Sequence, residues 1–263
     1  MEMVSSAKMR KAVQSVLQIR PYAGSAWKVL TNLSRVASKK HTGLLEIREV
    51  KNILIVLVAS NRGLCGAFNS QIYKTIREEV NNPERLKIQR DGGEKLESRV
   101  PDDELKIDFI TIGKKAEGMA RKMGKNIVAT FSEVGHLPAI ENIRPLVKIV
   151  LEDYKNEKYD KVVVVYTDYI STLSQKTKIR QLLPISRIDI EKQTQEMDAL
   201  AKTYGVKEEA EEYKIEPSPK EVLEHIVPRL LEMQVYHAIL ESNASEESAR
   251  MMAMKNATEA ALD

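Results

Sequence analysis

The stretch Glu241-Ser-Asn-Ala-Ser-Glu-Glu-Ser-Ala-Arg-Met-Met-Ala-Met-Lys-Asn-Ala-Thr-Glu-Ala-Ala261 decides the architecture. It holds no Gly and no Pro and is dense in strong helix formers, so it reads as continuous helix. No capping Gly or Pro closes it before Asp263. Upstream, Ser218 as N-cap, Pro219 at the first helical position and Glu221 at the third form a capping box, which starts this helix at residue 218. Val222, Ile226, Leu230, Met233 and Ile239 supply its apolar positions, and Pro228 predicts a kink inside it.

The opposite end mirrors this pattern. Met1-Glu-Met-Val-Ser-Ser-Ala-Lys-Met-Arg-Lys11 is helical from its first residue, with no N-cap before it. Val13, Val16 and Leu17, then Leu30, Leu33, Val36 and Ala37, recur at three- and four-residue spacing. Pro21 is expected to bend the helix near Ile19–Arg20, and His41-Thr-Gly43 stops it. Two long terminal helices, residues 1–42 and 218–263, therefore flank something else. Residues 1–40 hold eight Lys/Arg and one acid, a net of +7, whereas residues 220–263 hold four basic residues and eight acids, a net of −4. A basic helix of this kind suits acidic loops, nucleic acid or anionic lipid.

Between the helices the hydrophobic period changes. Asn52-Ile-Leu-Ile-Val-Leu-Val-Ala-Ser60 is a nearly unbroken apolar strand, as in a parallel sheet covered on both faces. Asn61-Arg-Gly-Leu-Cys-Gly66 follows as a tight turn, and Asn69 is expected to cap a helix running to about Glu79. Residues 81–104 are polar and read as a loop, with a turn at Asp91-Gly-Gly93. Strands at 105–112, 127–131 and 161–167 alternate with helices at 114–123 and 140–156, and Gln181-Leu-Leu-Pro-Ile185 closes the region. This alternation predicts a central α/β domain, Rossmann-like, over residues 50–188. Residues 189–217 read as a charged, exposed linker.

Composition sets further bounds. A chain of 263 residues buries one substantial core. No apolar run approaches a membrane span, and Ile53–Ala59, the longest, is strand-sized. Met1 leads directly into a polar, basic helical pattern, so no signal peptide and an intracellular, reducing compartment are expected. Aromatic residues make up only 5% of the chain, too few for a platform that stacks bases.

No catalytic constellation emerges. Gly63-Leu-Cys-Gly66 sits where Gly-rich turns can cradle phosphate, yet it lacks Walker spacing and G-x-G-x-x-G, so it reads first as a strand-to-helix turn. The alternative function is a phosphate- or nucleotide-binding α/β protein using Asn61–Gly66. Cys65 beside Arg62 reads as a small buried residue, with an activated thiolate as its alternative. His41, His136, His225 and His237 form no catalytic motif, and His225 and His237 lie too far apart to share a metal. Glu208–Glu212 and Glu246-Glu247 read as solvated helix faces, and Met251, Met252 and Met254 as packing residues. A nucleic-acid adapter built on residues 1–40 ranks last, because the acidic second helix offsets its field.

Several motifs together carry a family resemblance. Ser245-Glu-Glu-Ser-Ala-Arg-Met-Met-Ala-Met-Lys-Asn-Ala-Thr258 closely resembles a run found in the gamma subunits of F-type ATP synthases. Glu216-Pro-Ser-Pro219 and Gln234-Val-Tyr236 precede it in the family's order. Ser60-Asn-Arg-Gly-Leu-Cys-Gly-Ala-Phe-Asn69 is similar to the family's turn, with Asn61 and Ala67 in place of the usual Asp and Gly. Met1–Lys11, Arg20-Pro-Tyr-Ala23 and Gln181-Leu-Leu-Pro184 complete a collinear match over essentially the whole chain.

The resemblance implies a non-catalytic central rotor shaft with no cofactor. Its terminal helices would form an antiparallel coiled coil inside the ring of alternating alpha and beta subunits. Its α/β domain would stand beside epsilon on the membrane ring of c subunits, at the cytoplasmic face of the energy-transducing membrane. ATP chemistry would lie on the beta subunits, coupled to proton flow through rotation. Lys8, Arg10 and Lys11, with Arg250 and Lys255 on the opposite helix, occupy the motifs that pass the acidic loops of beta. Read from the residues alone, these five form a solvated helix face. Family members extend past both ends of this chain, so a shaft lacking both tip ends is the expectation. Some relatives in photosynthetic organelles carry a disulfide switch. With Cys65 the sole cysteine, no intrachain bridge can form here. Dithiol reductants are therefore expected to leave the activity of the assembled complex unchanged, and a large reversible response arising in this chain would contradict that.

Overall fold

β1 (Asn52–Val58) is apolar on both faces because both are covered. Ile53 to Leu57 are wholly inaccessible to solvent, so each alternate side chain enters one of two separate cores. Ile53, Ile55 and Leu57 join Phe68, Ile72, Ile76, Ala116, Met119 and Ala120 on one face. Leu54, Val56 and Val58 join Leu146, Val150, Tyr154, Leu230, Leu231, Ala238 and Ile239 on the other.

The computed structural model describes residues 2–16, 18, 44, 48–91, 94–185 and 219–262. In chain order the elements are α1 (residues 2–16), β1, α2 (Phe68–Asn81), α3 (Glu84–Lys87), β2 (Ile88–Asp91), β3 (Glu94–Glu97), β4 (Lys106–Ile112), α4 (Lys114–Lys122), β5 (Asn126–Phe131), α5 (Arg144–Lys155), β6 (Lys161–Tyr169), β7 (Gln175–Leu183) and α6 (Pro219–Leu262). The main sheet has the order β5-β4-β1-β6-β7. β1, β4, β5 and β6 are parallel, while β7 pairs antiparallel with β6. α2 and α4 lie on one face, α5 and α6 on the other. This is a doubly wound α/β domain whose strand order reverses beside β1. The fold class is therefore the expected one, a mixed α/β architecture on a mainly parallel sheet with helices at both termini.

Three local expectations need correction. Residues 81–104 are not a bare loop: they hold α3 and an antiparallel β2–β3 hairpin. The Nζ of buried Lys161 donates to the carbonyls of Leu86 (2.9 Å) and Ile88 (2.5 Å), which ties this excursion to the start of β6. Lys87 donates to the Val100 carbonyl at 2.6 Å and pairs with Asp102, closing its far side. The expected turn at Gly92-Gly93 lies outside the described residues. Residues 175–183 form edge strand β7 rather than a closing segment alone. Asn69 does not cap α2, which begins at Phe68 without a side-chain cap. Its amide instead bonds the Ser60 hydroxyl at 2.8 Å and the Cys65 sulfur at 3.1 Å.

α6 runs unbroken through Pro228 from Pro219, the position read as first in the helix. Ser218, the bend near Pro21 and the linker at 189–217 lie outside the described residues.

Gly113 joins β4 to α4 where their backbones crowd β1. Its φ is +92°, and a Cβ there would stand 2.2 Å from the Ala59 carbonyl oxygen. Gly113→Ala is therefore expected to cost more than about 2 kcal/mol, from left-handed strain plus a backbone clash. Urea denaturation of the two forms measures this, and an unchanged midpoint would refute the argument.

Candidate functional site: the junction of the terminal helix and the sheet edge

α6 reaches the C-terminal edge of the parallel strands with a segment of small and acidic residues. Ser242, Ala244, Ser245, Glu246, Glu247 and Ser248 are all buried, at 5% exposure or less. Small side chains let the helix backbone approach the strand ends, and the hydroxyls of Ser245 and Ser248 each meet a carbonyl. Ser245 Oγ donates to Thr167 O at 3.2 Å, and Ser248 Oγ to Thr172 O at 2.7 Å. Asn243 Nδ2 donates to His136 O at 2.9 Å. One turn earlier, Glu241 hydrogen-bonds Asp168 of β6. Burial pushes the Asp168 carboxyl up, but Glu241 and Lys178, the latter at 2.6 Å, hold it below the usual range.

The turn 60–66 closes the other side. Leu64 and Gly66 both adopt positive φ, which folds the turn back against α6. A Cβ on Gly66 would lie 3.8 Å from the Ala249 carbonyl, and Arg250 Nη2 reaches Gly63 O at 3.5 Å. Asn61 Oδ1 accepts from the Lys114 backbone N–H at 3.0 Å, so its amide oxygen supplies a cap for α4.

An ion network sits inside this collar. Arg250 pairs with Glu246 one turn back, and its Nη1 lies 2.7 Å from Glu247 Oε1. Glu247 also meets His136 Nδ1 at 3.3 Å. Burial raises the Glu246 pKa, with Arg250 opposing the rise. Burial also works against the Arg250 charge, yet the two carboxylates outweigh it and raise its pKa. His136 is lowered, first by burial, with Glu247 opposing and Lys8, Arg250 and Arg62 adding to the effect. The imidazole is thus neutral at pH 7, and its contact with Glu247 is not an ion pair. The charge of Lys8 reaches both Glu246 and His136, so the basic N-terminal helix passes near this stretch of α6. Ser5, Ala12 and Val16 are the buried positions of α1.

The five candidate cations separate. Lys8 is half-buried beside the network, and Arg250 lies inside it. Arg10, Lys11 and Lys255 are exposed, with Lys255 in a 3.7 Å pair with Glu259. Glu246-Glu247 is not a solvated face, contrary to expectation: both carboxylates are buried, at 5% and 2% exposure, among the strand ends, the turn 60–66 and Arg250. Sequence missed the role of Ser245 and Ser248. Their three-residue spacing among small residues was the available signal.

Cys65 is buried, and burial followed by the Glu246 charge pushes its thiol up, away from an activated thiolate. In doubly wound sheets, ligands enter the crevice beyond the strand ends where the order reverses. Here α6 fills that crevice and the Asn61–Gly66 turn packs on it, so a phosphate cradle there is not favoured. Among the described residues, no group of three or more His, Cys, Asp or Glu side chains is placed to hold a metal, and no helix is long and apolar enough to cross a membrane.

The family model described as ATP synthase matches residues 1–263. The ATP synthase gamma chain of Legionella pneumophila (strain Corby) is 34% identical over 263 residues, covering 100% of this chain and 81% of that one. The ATP synthase gamma chain of Glaesserella parasuis serovar 5 is 35% identical over 262 residues, with coverage of 98% and 80%. Among solved structures, the central stalk/c-ring of Tetrahymena thermophila mitochondrial ATP synthase superposes with a TM-score of 0.65 at 23% identity, covering 98% of this chain and 97% of that one, a likeness of fold. Match along the full chain, the shared fold and the enclosed Ser245–Arg250 motif agree: this chain belongs to the ATP synthase gamma chain family.

Proposed function

We propose that the chain is the central-stalk rotor subunit of its ATP synthase, coupling rotation at the membrane ring of c subunits to ATP chemistry on the beta subunits. The observation that carries this reading is the course of α6. It is enclosed at 242–248, half-buried at 251–254 and exposed from Lys255, so one continuous helix is gripped by the domain and projects beyond it. A gripped, projecting helix is a lever. The subunit itself is non-catalytic in this reading, since its ligand crevice is filled by that lever. The terminal helices pair as an antiparallel coil within the alpha–beta ring, and the α/β domain stands with epsilon at the cytoplasmic face of the membrane.

The exposed cations Arg10, Lys11 and Lys255 face the acidic loops of beta, whereas Lys8 and Arg250 serve the grip. Contacts passed in rotation must be weak, about 1 kcal/mol or less each, or one angle would be trapped. In a reconstituted complex, Arg10→Gln, Lys11→Gln and Lys255→Gln combined are expected to lower ATP-driven proton pumping per ATP hydrolysed, with each single change mild. Unchanged coupling in the triple variant would show these charges to be a solvated surface only.

The grip has its own signature. Arg250→Met leaves two buried carboxylates without their cation, at a cost of about 3–5 kcal/mol. Burial already raises the Glu246 pKa, and without Arg250 to oppose it the folded value stands further above the unfolded one, so the folded state binds more protons. Stability of the variant is lost as pH rises and regained as pH falls through the raised folded pKa toward the unfolded one. Urea titrations across that range are expected to show the deficit shrinking on acidification, and a pH-independent deficit would refute it.

A further inference from the structure

A cleft of about 380 Å³ opens between α2 and α4, on the face opposite α6. Its charged lining is Arg77, Lys122 and Lys125; Tyr73 adds a phenol, and half-buried Val80 and Met123 add apolar surface. No acid lines it. On these helices Glu79 pairs with Arg85 at 3.1 Å and Glu117 with Arg121 at 2.7 Å, and neither acid lines the cleft. None of the three cleft cations makes an ion pair among the described residues. Three like charges converging on one concavity repel each other, and an anion relieves that repulsion.

Two helix C-termini end here, and each carries about half a negative charge, less in sum than the three full cations. The α4 carbonyls are moreover already bonded by the N–H groups of Met123, Gly124 and Lys125. A guanidinium fork, two ammonium groups and a phenol offer donors suited to the oxygens of a phosphate.

We propose that this cleft binds a phosphate-bearing anion, as a phospholipid headgroup or a soluble phosphate ester. Its position favours the lipid. Lys125 directly precedes β5, and Lys161, which opens β6, holds the excursion that follows α2, so the cleft lies at the N-terminal edge of the parallel strands. α6 projects from the opposite edge. Under the rotor reading, on which this choice of source rests, the cleft edge is the one turned toward the membrane.

The full chain is tested by flotation with vesicles of phosphatidylcholine alone or with phosphatidylglycerol added, and by calorimetric titration with glycerol 1-phosphate. Arg77→Gln/Lys122→Gln/Lys125→Gln is compared with Lys114→Gln/Lys115→Gln/Lys176→Gln, which removes the same charge from exposed positions elsewhere. The cleft variant is expected to bind anionic vesicles more than about tenfold more weakly, and the control to change less than about twofold. Lys122→Gln alone is expected to give an intermediate loss. Cleft-dependent binding of glycerol 1-phosphate without vesicle capture supports the site and assigns it a soluble ligand. Equal losses in both triple variants, no binding of either anion by the parent chain, or equally tight cleft-dependent binding of a polyglutamate peptide would overturn it. The assay uses the isolated chain, so its failure leaves the rotor reading standing, and a failed coupling experiment leaves the cleft standing.

Discussion

Two adjacent carboxylates buried between a helix and a sheet edge carry a large desolvation cost, and the structure offsets it chiefly with Arg250, which pairs with both. That constraint organises its surroundings. Arg250 can reach both acids because they stand three and four residues back on the same helix. It can also reach Gly63 only because the turn 60–66 folds against α6 through positive φ at Leu64 and Gly66. Ser245 and Ser248, on either side of the acids, let the helix approach closely enough for their hydroxyls to donate to the carbonyls of Thr167 and Thr172. Sliding α6 by one turn would strand the carboxylates and empty these bonds together. The network thus fixes register more than it adds net stability.

Much of this fold is written in local pattern. β1, β4, β5 and β6 follow from apolar runs bounded by turn residues, and α6 from its lack of breakers. What escaped was set by contacts distant in sequence. β7 reads Gln-Lys-Thr-Lys-Ile-Arg at its start because an edge strand half-open to solvent needs no apolar run. Residues 81–104 looked like a loop because their order comes from Lys161, far along the chain, capping the carbonyls of Leu86 and Ile88. Asn69 has cap chemistry but spends its amide on Ser60 and Cys65.

Glu246-Glu247 shows the limit most sharply. A helical period tells which residues share a face, but not how many faces are covered. At 242–248 the strand ends, the turn 60–66, the loop bearing His136 and the nearby N-terminal helix leave only Asn243 partly open to solvent. Charge in sequence then means pairing, not exposure. The same motif that marks the family by its letters is, physically, a run of residues small enough to be surrounded and acidic enough to require Arg250.

The grip and the projection are two consequences of one helix outrunning its domain. α6 has 44 residues, about 66 Å at 1.5 Å per residue, roughly twice the length of the nine-residue strand it lies along. A helix fixed only by an apolar stripe could roll about its axis under torque, since apolar contacts are non-directional. Directional bonds at Asn243, Ser245, Ser248 and Arg250 resist that roll, because turning the helix breaks them on several sides at once. Their place at the last buried level before the helix leaves the sheet edge is where a twisting load from the free segment would first act. A junction there made of hydrogen bonds and buried ion pairs, with little apolar area, is what a torque-bearing root requires.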